Sequence, residues 1–137
     1  MTLSLPTKKV AKVWGRTDLP DEFGGQTDEA FGEVWFEPNE NTKGLLVKYL
    51  FTSEKLSVQV HPSDLQARRL GVGESGKEEC WLVVDAEPGA VLGLGLDQEY
   101  DRESVRSAAE DGSIEDMLVW HEVRPGDAVH HLQPGAL

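Results

Sequence analysis

Residues 56–62 alternate between apolar and polar side chains, and this pattern restricts the fold of the chain more than any other segment. In an extended strand, successive side chains point to opposite faces. Gln59 and His61 therefore share one face of the predicted strand, whereas Val58 and Val60 lie on the other. The alternation predicts a half-buried β-strand with an amide and an imidazole on its polar face.

A second candidate strand carries Lys77, Glu79 and Trp81 at alternate positions, which places these side chains on one face. If the two strands pair, Gln59, His61 and Glu79 converge on one point. An amide oxygen, an imidazole nitrogen and a carboxylate are a plausible shell for a borderline divalent metal such as zinc. The sequence therefore predicts a metal site on a β scaffold.

Turn and loop signals divide the chain into short segments. The predicted strands are residues 32–36, 44–51, 55–61, 79–86, 90–96, 120–123 and 127–132. The predicted helices are residues 65–70 with Ser63 or Asp64 as the cap, 101–111 ending at Gly112, and 113–118 with Ser113 as the cap. Residues 1–43 are otherwise expected to hold few regular elements, and residues 52–54 are short enough for a hairpin.

Many short strands joined by turns, with two or three short helices, predict a mainly β protein. An antiparallel β sandwich or barrel is indicated, and a jelly roll of the cupin type fits best. The length of 137 residues suits one domain. We found no repeat, low-complexity segment or linker that argues for two.

The balance of charges excludes several classes of partner. The net charge of −12 repels nucleic acid and anionic membranes. A phosphorylated substrate can bind only where Lys or Arg reverses the local field. Cys80 is the only cysteine, so no internal disulfide is possible, which fits a reducing cytoplasm. Lys8 and Lys9 are not followed by an apolar run, so a secretory signal is not expected, nor is a membrane span.

Six short motifs occur in one order between residues 14 and 127. They are WG at 14–15, GEVW at 32–35, LLVK at 45–48, LSVQVHP at 56–62, GKEECW at 76–81 and GD at 126–127. With these motifs the chain resembles the N-terminal catalytic part of type I mannose-6-phosphate isomerases. Members of that family are zinc-dependent cupin enzymes that interconvert mannose 6-phosphate and fructose 6-phosphate. Any one of these motifs alone is weak evidence for the family. The Gln-Val-His-Pro and Gly-Lys-x-Glu segments, in this order and at this spacing, are specific.

The resemblance implies a function and a ligand set. It places the zinc ligands on Gln59, His61 and Glu79. Aldose–ketose isomerisation moves a proton between two carbons through an enediol, and zinc would stabilise charge on the two sugar oxygens. The expected partner is a small sugar phosphate, bound by a cytoplasmic enzyme that is a monomer if complete.

The resemblance also implies groups around the substrate. It places Lys48 and Lys77 nearby as candidates for proton transfer or polar contacts, without deciding between them. Trp14 and Glu33 are the corresponding candidates for substrate binding. The phosphate requires cationic groups, some of which are expected in a C-terminal continuation that carries a catalytic arginine in the family.

The chain departs from the family pattern after Gly126-Asp127. The fourth family ligand is a His, whose position falls on Leu137 without gaps, or beyond the end if Pro134-Gly135 forms the family's turn. The domain over residues 1–137 is therefore expected to be incomplete at its C-terminal end. His130 and His131 are adjacent, so at most one could enter the barrel and substitute as a ligand.

Each candidate also has a structural interpretation. His61, Gln59, Glu79 and Lys77 could be ordinary surface residues, Lys48 could reach water at a sheet edge, and Trp14 and Trp35 could pack in the core. Glu33 could orient a strand edge, and Cys80 is expected to be a small core residue. The alternative function is a non-catalytic or vestigial metal- or sugar-binding cupin module. An iron dioxygenase is disfavoured because the first motif holds one His.

Overall fold

The computed structural model describes residues 4–131, the last of these by its backbone alone. It is mainly β with two short α-helices, as predicted, and it divides into two compact units, Met1–Ser57 and Val58–Leu137. The single domain over residues 1–137 stays a prediction. No helix in the described part of the chain is long and apolar enough to cross a membrane.

The first unit contains an antiparallel sheet in the order β1-β2-β3. Its strands are β1 (Thr7–Asp18), β2 (Gln26–Phe36) and β3 (Val47–Leu50), and a single 3₁₀ turn (Asp21–Phe23) joins β1 to β2. Val34 in the middle strand is almost fully buried, with 1% of its surface exposed. The aromatic rings of Phe23, Phe36, Tyr49 and Phe51 contact one another at centroid distances between 5.2 and 6.1 Å.

The expectation of few regular elements in residues 1–43 was wrong, because β1 and most of β2 lie there. β1 is rich in lysine and leaves most of its side chains half-buried or exposed, so apolar enrichment gave no signal. Its backbone pairs with β2 regardless of that composition, which is typical of an edge strand whose sequence reflects its surroundings more than intrinsic propensity.

The predicted strand over residues 55–61 and the hairpin at residues 52–54 were also wrong. The chain after β3 keeps bonding to the first sheet, since Phe51 N–H donates to Gly32 O at 2.8 Å and Ser53 N–H donates to Trp14 O at 2.8 Å. Because these backbone N–H groups bond to the first sheet, the chain does not fold back along β3 as a hairpin. Residues 55–63 run without regular secondary structure to the first helix.

The second unit contains two antiparallel strand pairs and both helices. Its elements are α1 (Asp64–Leu70), β4 (Glu79–Leu82), β5 (Val91–Leu96), α2 (Arg102–Asp111), a 3₁₀ turn (Ser113–Met117), β6 (Leu118–Glu122) and β7 (Ala128–His131). β4 pairs with β7, and β5 pairs with β6. β4 is shorter than the predicted strand over residues 79–86.

Helix ends follow the sequence closely. Ser63 caps α1 in a reciprocal capping box with Gln66, and Asp101 caps α2, which ends at Gly112. The role given to Ser113 was wrong, because Gly112 is the residue that precedes the 3₁₀ turn. The prediction for Cys80 was wrong as well. Along β4, Glu79 and Trp81 are half-buried whereas Cys80 lies exposed on the opposite face.

Candidate functional site

The three predicted metal ligands lie together in the second unit. Gln59 Oε1 is 3.4 Å from His61 Nε2, and His61 Nδ1 is 3.5 Å from Glu79 Oε2. The side chains of His61 and Glu79 are 17% and 15% exposed, so both are largely withdrawn from water. Two oxygen donors therefore flank one imidazole ring.

Loop docking, not the predicted strand pairing, produces this convergence. Gly76 packs so tightly on the turn after His61 that a Cβ atom there would lie 2.1 Å from Pro62 O. Gly76 N–H donates to Asp64 Oδ1 at 2.8 Å, and Lys77 N–H donates to Pro62 O at 3.2 Å. These contacts hold the start of the second motif against the end of the first. Sequence reasoning missed this role of Gly76, although the glycine belongs to the Gly-Lys-x-Glu motif.

Lys77 joins the same cluster from the loop before β4. Its Nζ atom lies 2.6 Å from Glu79 Oε1 and 3.2 Å from His61 Nε2. The side chain is 49% exposed, so it bridges the cluster and solvent. A cation thus contacts an imidazole nitrogen and a carboxylate oxygen that both belong to the predicted ligand set.

The donors suit a zinc ion. Zinc takes nitrogen and oxygen ligands at about 2.0–2.2 Å, which in a tetrahedral shell separates neighbouring donors by about 3.4 Å. The 3.4 Å between Gln59 Oε1 and His61 Nε2 matches this value, whereas the 3.5 Å distance joins Glu79 Oε2 to the other ring nitrogen, Nδ1. Among the described residues, no group of three or more His, Cys, Asp or Glu could hold a metal ion. The candidate set contains two such residues, His61 and Glu79, and its third donor is the Gln59 amide. The fit therefore depends on a mixed set of three donors.

A second polar cluster surrounds Glu33 in the first unit. β2 pairs with β3 so that Trp35 lies opposite Lys48, and Glu33 is two residues from Trp35 on the same face. Lys48 Nζ donates to Glu33 Oε1 at 2.7 Å, and Trp35 Nε1 donates to Glu33 Oε2 at 2.8 Å. Lys12 Nζ lies 4.0 Å from the same Oε2. The Glu33 carboxylate is thereby paired on both oxygens.

The electrostatics of Glu33 follow from its surroundings. Only 6% of Glu33 is exposed, and this burial by itself raises the pKa of the carboxyl group. The hydrogen bonds from Lys48 and Trp35, together with the charges of Lys48 and Lys12, outweigh that effect and hold the pKa below its ordinary value. Glu33 is therefore ionised at neutral pH, and both of its carboxylate oxygens accept hydrogen bonds from neighbouring side chains.

Trp14 and Lys48 both lie in the first unit. The Trp14 ring covers Gly32, where a Cβ atom would lie 2.5 Å from the indole Cζ3. Lys48 is engaged with Glu33 and only 24% exposed, so it does not extend freely into water at a sheet edge. The roles of Trp14, Glu33, Lys48 and Lys77 toward a substrate stay predictions.

The C-terminal candidates have different outcomes. The fourth-ligand positions at Leu137 and beyond Pro134-Gly135 lie outside the described residues. In the β4–β7 ladder, His130 pairs with Cys80 and the backbone of His131 pairs with Glu79. His130 is exposed, as is Cys80, so it lies on the face opposite to Glu79.

Comparison with known proteins identifies relatives. No family model matches the chain. The putative mannose-6-phosphate isomerase YvyI of Bacillus subtilis is 30% identical over 167 residues, which cover 92% of this chain and 52% of the relative. The probable mannose-6-phosphate isomerase GmuF of the same organism is 29% identical over 138 residues, covering 90% of this chain and 43% of the relative. The chain thus spans about half the length of the curated relatives it matches.

A solved structure agrees with these sequences. The mannose 6-phosphate isomerase from Bacillus subtilis matches with a TM-score of 0.75 at 26% identity, covering 92% of this chain and 51% of that chain. The match confirms the predicted mainly β, cupin-type jelly-roll class. By sequence and by fold, this chain is similar to mannose-6-phosphate isomerases and spans about half the length of the proteins it matches.

Proposed function

We propose that this chain carries the metal site of a zinc-dependent aldose–ketose isomerase that interconverts mannose 6-phosphate and fructose 6-phosphate through an enediol. The relatives bear the name of this activity, and the convergence of Gln59, His61 and Glu79 is the observation that carries the proposal. A cytoplasmic location belongs to the same proposal, since sugar phosphates and a lone cysteine suit a reducing compartment.

Gln59, His61 and Glu79 would hold the zinc ion. Bound there, zinc would polarise the carbonyl and hydroxyl oxygens of the open-chain sugar. The chain's own residues supply the remaining functions. Lys77 lies next to this set and is half-exposed, so its amine can reach a bound sugar and hold or deliver a proton at the reacting carbons or oxygens.

The Glu33 cluster supports the proposal in a different way. Glu33 fixes the Lys48 ammonium and the Trp35 indole, so these groups keep one position without a ligand. A preorganised ammonium is suited to a sugar hydroxyl or to the phosphate, because it does not lose side-chain entropy on binding. This supports the proposed role of Lys48 in substrate binding, whereas the proposed role of Trp14 depends on the family resemblance alone.

The test combines metal content with turnover. Purified chain is stripped with a chelator, titrated with zinc, and assayed for conversion of mannose 6-phosphate to fructose 6-phosphate. His61→Ala is expected to weaken zinc binding at least about 100-fold, since even loss of an outer-shell partner costs 10- to 100-fold. His121→Ala, an exposed histidine of the same unit, serves as the matched control and should leave affinity unchanged.

Three outcomes separate the possibilities. Zinc-dependent turnover that is lost in His61→Ala supports the isomerase. Stoichiometric zinc at His61 without turnover refutes catalysis by this chain and favours a non-catalytic metal-binding module. Equal zinc affinity in wild type, His61→Ala and His121→Ala refutes the metal site.

A further inference from the structure

The Lys77 ammonium occupies the position of a cation within the predicted ligand set. Its Nζ atom contacts Glu79 Oε1 at 2.6 Å and His61 Nε2 at 3.2 Å. Gln59 Oε1 lies 3.4 Å from the same ring nitrogen. The ammonium therefore shares two of its neighbours with the metal that the site is proposed to bind.

Two cations cannot use these donors together. The imidazole Nε2 has one lone pair, which either accepts a hydrogen bond from the ammonium or binds a metal. Lys77 also holds Glu79 Oε1 in a charge-assisted hydrogen bond at 2.6 Å, so that oxygen would have to exchange the ammonium for a divalent ion. In addition, two like charges a few ångströms apart repel each other. Metal entry at Nε2 therefore requires the ammonium to leave.

We propose that Lys77 acts as an internal substitute cation, which stabilises the metal-free site and is displaced when zinc binds. Metal occupancy would then free the Lys77 amine, so that the proton-transfer group becomes available only in the loaded site. The half-exposed side chain can move, since its head already borders solvent. This inference rests on the proposed zinc site, and it adds a competition between two groups for His61 and Glu79.

The test compares zinc affinities by calorimetric titration of chelator-treated chain. Lys77→Met removes the competing charge and preserves the length of the side chain, so the dissociation constant is expected to fall about tenfold. Lys77→Arg keeps a cation and is expected to gain no affinity. Lys43→Met is the matched control, because Lys43 is an exposed lysine of the other unit, and it should change affinity less than twofold.

A second measurement reports on the amine directly. Limiting N-acetylation followed by peptide mass spectrometry gives the labelled fraction of Lys77 relative to Lys43. Zinc is expected to raise the ratio several-fold, because it releases the Lys77 amine from Glu79 and His61. Since labelling uses no substrate, the result does not depend on isomerase activity.

The outcomes distinguish the inference from the proposed function. If wild type binds zinc through His61 while Lys77→Met binds it equally or more weakly, the competition is refuted and the metal site stands. An equal gain in Lys77→Arg, or unchanged Lys77 labelling with zinc bound, refutes it too. If wild type binds no zinc, the proposed metal site fails, and the inference fails with it.

Discussion

Removal of the Glu33 charge tests whether the buried carboxylate holds the first sheet together. Glu33→Gln preserves the shape and can still accept the Trp35 hydrogen bond, but it loses the ion pair in which Lys48 Nζ lies 2.7 Å from Glu33 Oε1. Glu33→Ala loses both partners and leaves a cavity. The two variants thus separate the charge from the packing.

The expected cost follows from burial and pairing. A hydrogen bond to a charged group contributes about 1.5–3 kcal/mol. Because Lys48 is 24% exposed, it can regain part of its hydration when Glu33 is neutral, which reduces the loss to about 1–2 kcal/mol. Glu33→Ala should cost about 3 kcal/mol, near the lower end for a broken buried pair.

Thermal unfolding followed by circular dichroism measures these changes. For a chain of this size, 1 kcal/mol corresponds to a shift in Tm of about 4 °C, so Glu33→Gln should lower Tm by about 4–8 °C. Glu29→Gln, an exposed position of the same strand, is the control and should stay within about 0.5 kcal/mol of wild type. A Glu33→Gln variant that is as stable as its control would refute the reasoning.

The same pair predicts a dependence on pH. The pKa of Glu33 is lowered from an ordinary value of 4.5, so its ion pair stabilises the folded state above that pH and is lost as pH falls through the folded pKa. The difference in Tm between wild type and Glu33→Gln should be constant near neutral pH and shrink below pH 4.5. A constant difference at all pH values would contradict the assignment.

Three further predictions concern the second unit. Gly76→Ala should destabilise the fold by about 2 kcal/mol and weaken zinc binding, because the added Cβ would clash with the backbone of Pro62. Unfolding and zinc-titration experiments measure both effects. Gly73→Ala is the control, because the nearest atom to its added Cβ would be 3.6 Å away. Ser63→Ala should cost about 1 kcal/mol in thermal unfolding, because it removes the side-chain cap of α1. Cys80 should react with a thiol reagent in the native state as fast as in urea, and protection until unfolding would contradict its exposure.

Helices and their ends were predictable because the signals are local. Ser63 and Asp101 cap helices through side-chain oxygens that act within three residues, and Gly112 ends α2 with a positive φ of 87°. β1 was not predictable, since its pairing with β2 depends on a partner elsewhere in the chain and its polar side chains gave no alternation. The strand predicted over residues 55–61 failed for a related reason, because hydrogen bonds to the first sheet draw the preceding residues away from a hairpin.

The proximity of the three candidate ligands was predicted for partly incorrect reasons. Gln59, His61 and Glu79 do meet, but the strand pairing that was expected to bring them together is absent from the described residues. Alternation within β4 placed Glu79 on the half-buried face, which was correct. The close packing of Gly76 against Pro62 brings the two segments together instead. A steric requirement of this kind, between backbone segments that are distant in the chain, leaves no periodic pattern in the sequence.

The two polar clusters hold their lysine side chains in different ways. Lys48 is held by a carboxylate that is itself buried and bonded on both oxygens, so its position is fixed before any ligand arrives. Lys77 is held by Glu79 and His61, groups that a metal would also use, and it is half-exposed. A fixed ammonium would suit the proposed role of Lys48 in substrate binding. An exchangeable one would suit the proposed role of Lys77 in proton transfer. Because the proposed metal would compete with Lys77 for Glu79 and His61, loading the site would release the Lys77 amine.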